Sequence, residues 1–228
     1  MYRAPGRVNL IGEHTDYNLG FVLPIAIELA CYTAASPNSA GMLRIYSDNV
    51  DEAHEFPVER IAEERTRGAW TDYVIGVAQQ LVRRGFSIGG LNLAIHSTVP
   101  VGSGLSSSAA IEVASALALL AGRDIDKTEL ARLCQAAERE FVGMPCGIMD
   151  QYVSVHGVAG AAIDIDCRSI THEVVRLPDD VAILVVNTMV KHELSGSAYR
   201  DRVRECAEAV EVVRRKRPEV QSLREVGS

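Results

Sequence analysis

Strand-like and helix-like patterns alternate irregularly along this chain, which predicts a mixed α+β fold rather than a bundle or a β-sandwich. Three observations carry that expectation. Val22–Ala35 and Leu43–Tyr46 read as strands, and Leu91–His96 alternates Leu91, Leu93 and Ile95 with Asn92, Ala94 and His96. Trp70–Arg84 places Val74, Val77, Ala78 and Leu81 on one helical face and ends at Gly85. Ala109–Ala121 is apolar almost all round, which predicts a helix buried on most sides and stopped by Gly122.

The remaining elements follow from local chemistry. Asp126 with Glu129 three residues on forms a capping box for a helix whose stripe is Leu130, Leu133, Cys134, Ala137 and Phe141, with Glu138 at its edge. Val181–Val186 is wholly apolar and is expected as a central strand. A last helix over Ala198–Arg217 carries the stripe Val203, Cys206, Ala207, Val210 and Val213. A domain seam is expected near Leu177–Asp180, and no internal repeat is present.

Composition narrows the function classes. The chain has 228 residues, of which 47% are hydrophobic but only 5% aromatic, so the core is built mainly from Ala, Val, Leu and Ile. A net charge of −7 argues against nucleic-acid or anionic-membrane partners, while a few local donors suffice for a phosphorylated ligand. Five widely spaced cysteines read as reduced thiols in a cytoplasmic protein. No cationic segment followed by an apolar run opens the sequence, so a signal peptide is not expected. Arg214–Arg217 fits a helix C-terminus facing solvent, and His54, His96, His156, His172 and His192 form no ligand set by spacing.

Three segments hold the chemistry. Gly6–Tyr17 puts Arg7, Glu13, His14 and Asp16 within ten residues. These residue types suit a polyhydroxylated ligand, a polar surface turn with Arg7 paired to an acid, or a metal held by His14 and Asp16. Pro100–Ala110 joins a strand to the buried helix through glycines and serines, a pattern that cradles phosphate on backbone N–H groups. It lacks the lysine of a Walker A loop, and a serine-rich helix cap is the competing reading. Glu138 and the Pro145–Gln151 turn supply two carboxylates, either solvated or serving as metal ligand and base.

In this order, the three segments resemble the GHMP small-molecule kinases and, among them, the galactokinase family. Glu13-His14-Thr15-Asp16 is the most specific element, and the resemblance runs from Ala4 through Ile165–Ser169 and the Tyr199 region. It implies a ribosomal protein S5 domain 2-like N-terminal domain over 1–180. Residues 181–228 would be the opening strand and helix of a truncated ferredoxin-like C-terminal domain, short of the family's glycine-rich third motif. The implied reaction is phosphoryl transfer from ATP, with Mg2+, to the anomeric hydroxyl of α-D-galactose.

Carried over by position, Asp150 is the base and Arg7 lies beside it, while Glu13, His14, Thr15, Asp16, Gly147 and Tyr199 contact the sugar. Gly102, Ser103, Gly104, Leu105, Ser106, Ser107 and Ser108 cradle the triphosphate, Ser47 contacts the nucleotide, and Ser108 with Glu138 holds Mg2+. A kinase for a related sugar such as N-acetylgalactosamine, or a non-catalytic galactose-binding sensor, would use much of the same set. The incomplete second domain is expected to expose Val203, Val210 and Val213, a surface relieved by a partner chain, self-association included, or by aggregation.

Overall fold

The computed structural model describes residues 1–187 and 195–226. Eight strands, β1 (Tyr2–Asn9), β2 (Phe21–Val22), β3 (Pro24–Pro37), β4 (Met42–Ser47), β5 (Glu52–Pro57), β6 (Leu91–Ser97), β7 (Ala161–Asp166) and β8 (Thr171–Arg176), form one sheet. The helices are α1 (Thr71–Arg83), α2 (Ser107–Leu120), α3 (Lys127–Ala137), α4 (Met149–His156) and α5 (Ser195–Arg214). Along the sheet the order is β2-β7-β3-β6-β4-β5, with β1 on β3 and β8 on β7. All pairings are antiparallel except the parallel pair β4–β6.

β3 organises the sheet because its fourteen residues are long enough to pair with β1, β6 and β7. Leu43 and Ile45 of β4 and Leu91, Leu93 and Ile95 of β6 turn the same alternating face inward, against α1 and α2. α2 is buried nearly all round, and its alanines let β1, β3 and α1 approach closely. Its stop is one residue earlier than expected: Ala121 takes the left-handed backbone first and Gly122 follows in it. The Asp126 carboxylate accepts from Glu129 N at 3.0 Å, as the capping pattern predicts. A second apolar cluster, Val22, Ile148, Tyr152, Val153, Ile163 and Ile165, seats α4 on β7.

Two expectations for the C-terminal part are corrected. Val181–Val186 forms no strand: residues 181–187 carry no regular secondary structure and are exposed. An apolar run becomes a central strand only when neighbours satisfy its backbone on both sides, and no described strand lies beside it. The α5 stripe is also less bare than expected. Val210 is 6% exposed and Val203 and Val213 are half-buried, because the chain after α5 folds back and buries Val220. Arg214 holds that return by donating to Val220 O at 2.6 Å, so this arginine does more than face solvent. Arg224 then donates to Leu19 O at 2.7 Å, pairs with Asp166 and lies 4.2 Å over the Phe21 ring. No helix among the described residues is long and apolar enough to cross a membrane.

Candidate active site

β1, the Pro100–Ser106 loop and the turn before α4 converge at one end of the sheet. Gly6 permits this, since a Cβ there would lie 2.6 Å from Leu105 O. The Arg7 N–H donates to Leu105 O at 3.1 Å, tying β1 to the loop. The Arg7 guanidinium then reaches across, Nε to Asp150 Oδ1 and Nη2 to Asp150 Oδ2, both at 2.8 Å, and Nη1 to Gly104 O at 2.6 Å. This two-point pair is the planar match of guanidinium and carboxylate, and it fixes the Asp150 plane.

Ser106 completes the arrangement. It sits at a left-handed φ of 59°, uncommon for a residue with a Cβ, and its hydroxyl donates to Asp150 Oδ2 at 2.6 Å. That hydroxyl is therefore not capping α2, whose N-terminus has no side-chain cap. The first-turn N–H groups of α2 are left for an anion at the positive end of the helix dipole.

These residues wall a cleft of 640 Å3. Arg7, Glu13, His14, Asp16, Gly102, Gly104, Leu105, Ser106, Ser107, Ser108, Glu138, Gly147, Asp150 and Tyr199 all line it, so segments far apart in sequence meet in one cleft. Asp16 sits where a side chain at 147 would be: a Cβ on Gly147 would collide with its carboxylate. Burial first, and then the negative Asp150, pushes Asp16 up to about 6. Glu13 accepts from Asn9 Nδ2 at 3.2 Å. His14 Nδ1 bonds Tyr17 OH at 2.8 Å, and Tyr199 on α5 stands 5.7 Å from both rings. Burial raises the Tyr199 hydroxyl well above its ordinary value, so it stays a neutral donor.

Glu138 begins a π-helical turn, Glu138–Val142, that continues α3. Such a turn re-aims side chains, and here it delivers a carboxylate that is 6% exposed to the cleft. Burial and the nearby Asp150 push Glu138 up to about 7, while Ser108, Cys146 and Gln151 donors oppose the shift.

Three expected site residues fall elsewhere. The Thr15 hydroxyl is shared between Gly12 O at 2.7 Å and Phe21 O at 2.6 Å, so it braces the turn and does not line the cleft. Ser103 caps its own loop by donating to Pro100 O at 2.7 Å. Ser47 is buried at the end of β4, opposite Glu52, and is not among the cleft residues. Sequence spacing also misses Asn9, Met144, Cys146 and Val185 in the wall, and Gln151 and Glu112 beneath it. Asn9, Cys146 and Gln151 lie within the chemical segments the sequence singles out, whereas Met144, Val185 and Glu112 carry no local signal.

The histidines are less scattered than their spacing suggests. His156 and His172 lie 4.9 Å apart, with Tyr152 stacked on His156 and bonded to His172 Nδ1 at 2.9 Å. Burial, then His172 and Lys127, lowers His156 to about 4. His192 lies outside the described residues. Among the described residues no three His, Cys, Asp or Glu side chains are grouped as a metal cluster.

Residues 72–158 match the family model described as GHMP kinases N terminal domain, and residues 1–37 match the galactokinase galactose-binding signature. The chain is 45% identical over 228 residues to a galactokinase of Chloroflexus aggregans, covering 99% of this chain and 58% of that protein. Against the galactokinase of Pyrococcus furiosus it is 41% identical, covering 92% of this chain and 59% of the relative. The chain thus spans less than three fifths of the length of these curated relatives. The solved structure of Lactococcus lactis galactokinase complexed with galactose superposes with a TM-score of 0.92 at 33% identity, over 99% of this chain and 59% of that one. A mevalonate kinase shares the fold, with a TM-score of 0.66 at 17% identity over 78% of this chain and 56% of its own. By signature, fold and relatives the chain is thus similar to the GHMP kinases, and its first 37 residues match the galactokinase sugar-binding signature.

Proposed function

We propose that this chain carries the sugar site and triphosphate loop of an ATP-dependent galactose kinase that converts α-D-galactose to galactose 1-phosphate and ADP. The observation that supports this reading best is the junction of Arg7, Ser106 and Asp150. It places a fixed carboxylate between a polar, acid-rich pocket and an uncapped helix N-terminus. The L. lactis structure, solved with galactose, supports the choice of sugar.

In this reading Asp150 accepts the proton of the anomeric hydroxyl as that oxygen bonds to the γ-phosphorus and the bond to the leaving ADP oxygen breaks. Arg7 holds Asp150 in its acceptor orientation and presents positive charge to the transferring group. Glu13, His14, Asp16 and Tyr199 bond the sugar hydroxyls, and Gly147, without a side chain, leaves space for the Asp16 carboxylate. The backbone of Gly102–Ser108 and the α2 N-terminus hold the phosphates. Glu138 with Ser108 offers two oxygen donors at the cleft floor, a set that fits Mg2+ when phosphate oxygens and water complete its shell. Bound there, the ion neutralises phosphate charge.

The same reading assigns 1–180 to the N-terminal domain and 181–228 to the start of a second, and places the protein in the cytoplasm without nucleic-acid or membrane partners. Self-association would use the exposed 181–186 segment rather than Val210.

The test is ADP release with Mg-ATP and D-galactose, run beside Asp150→Asn, with galactose affinity measured by calorimetry on both. Galactose-dependent turnover that falls by about 10²-fold or more in the variant, at unchanged sugar affinity, is expected. Normal turnover by Asp150→Asn would remove Asp150 from the base role. Galactose binding without turnover in the unaltered chain would leave a sugar-binding protein.

A further inference from the structure

Directly beneath the cleft lies a hydrogen-bonded node that the reaction above does not use. Glu112 is in the middle of α2, four residues and about one turn beyond Ser108. Gln151 follows Asp150 on α4, and both Glu112 and Gln151 are 0% exposed. Gln151 Nε2 donates to Glu138 Oε2 at 2.6 Å and to Glu112 Oε2 at 2.9 Å, which engages both of its protons. One amide nitrogen therefore ties α2, the Glu138 turn and α4, the three elements that bring Ser108, Glu138 and Asp150 to the cleft. Glu112 Oε1, Gln151 Oε1 and Ser115 Oγ are buried without a hydrogen-bond partner. An apolar filling of the same space would avoid burying these groups, so stability alone does not account for the node.

We propose that Gln151 is a positioning residue for the cation site: anchored on Glu112, it sets the Glu138 carboxylate in the orientation that faces Ser108. This rests on the reading of Glu138 and Ser108 as cation ligands. Glu138 enters from a π-helical turn, a break in the regular helical ladder of the kind found at functional sites, and neighbouring donors, Gln151 among them, hold its carboxylate. Outer partners of this kind decide how well a ligating carboxylate is aimed. Glu112 acts one step further back, by holding the Gln151 amide so that its second proton points at Glu138.

The experiment uses Mn2+ as probe, titrated into the chain with ADP and followed by the free-ion paramagnetic resonance signal. Galactose affinity and far-ultraviolet dichroism are recorded on the same samples. Gln151→Met, which keeps the length but not the donors, is expected to weaken Mn2+ binding by about 10-fold or more with galactose affinity unchanged. Glu112→Leu is expected to weaken it similarly, whereas Glu112→Gln retains an oxygen acceptor for Gln151 and stays close to the unaltered chain. If Gln151→Met fails to fold, the contrast between Glu112→Leu and Glu112→Gln decides, and equal Mn2+ binding by those two overturns the proposal. Mn2+ binding that Glu138→Gln abolishes and Gln151→Met leaves intact overturns the proposal while the cation reading stands. Undiminished binding by Glu138→Gln, or none by the unaltered chain, removes the cation reading and this proposal with it.

Discussion

Gly147 lacks a side chain because the Asp16 carboxylate occupies the space a Cβ would take. Gly147→Ala should therefore displace Asp16 and weaken galactose binding by about 10-fold, with little change in melting temperature. Calorimetry and a thermal scan on one sample check both halves. Glu138 makes a second residue-scale statement. Its folded pKa, about 7, lies above the ordinary value of 4.5, so the folded chain binds more protons than the unfolded chain between those values. Stability contributed by this group is full below about pH 4.5 and is lost as pH rises through about 7. Glu138→Gln, which removes the buried charge, should stabilise the metal-free chain at pH 8 by on the order of 2–3 kcal/mol and have no such advantage at pH 4. Denaturant melts at the two pH values give the sign directly. The sequence placed Glu138 on a helix edge but gave no hint of its burial, which depends on α2 and α4 packing over it.

Among the elements, α5 and the chain after it show how the site is roofed. Tyr199 of α5 meets His14 and Tyr17, Arg200 donates to Gly143 O at 3.2 Å, and Arg224 pins the end of the return to Asp166 and Leu19. Arg224→Ala should free that return, lowering stability by about 1 kcal/mol once solvent screening of a partly exposed pair is allowed for. The matching loss of about 2–4 °C in melting temperature should come with faster amide exchange at Val220–Glu225. Protection there equal to that of the unaltered chain would show that Val210 and Val220 packing suffices without the arginine. The expected bare stripe on α5 failed because periodicity reports which face is apolar and not what covers it; a single buried valine, Val220, lay outside any helical pattern. α4, β1, β5, β7 and β8 were likewise invisible as periodic segments, being short or paired at irregular depth.

For the whole molecule, exposed apolar surface has moved from α5 to the segment after β8. Leu184 is 86% and Val186 70% exposed, whereas Val185 lines the cleft. A run of this kind favours association. Leu184→Asp together with Val186→Lys should shift sedimentation toward smaller species without altering galactose affinity; an unchanged profile would place any association elsewhere. At this scale the division between sequence and fold is clear. The amino-acid order by itself determined the α+β class, the main helices and inner strands, and the three chemical segments, because each is written in neighbouring residues: alternation, helical spacing, a capping pair, a run of glycines and serines. Packing alone brings Arg7 onto Asp150 across 143 positions, sets the Ser106 hydroxyl on that carboxylate instead of on its own helix, and engages the Thr15 and Ser103 hydroxyls within their own loops while burying Ser47 away from the cleft. Those outcomes depend on which backbones approach closely and which groups lose water, and burial and close approach are properties of the packed chain rather than of any local stretch of it.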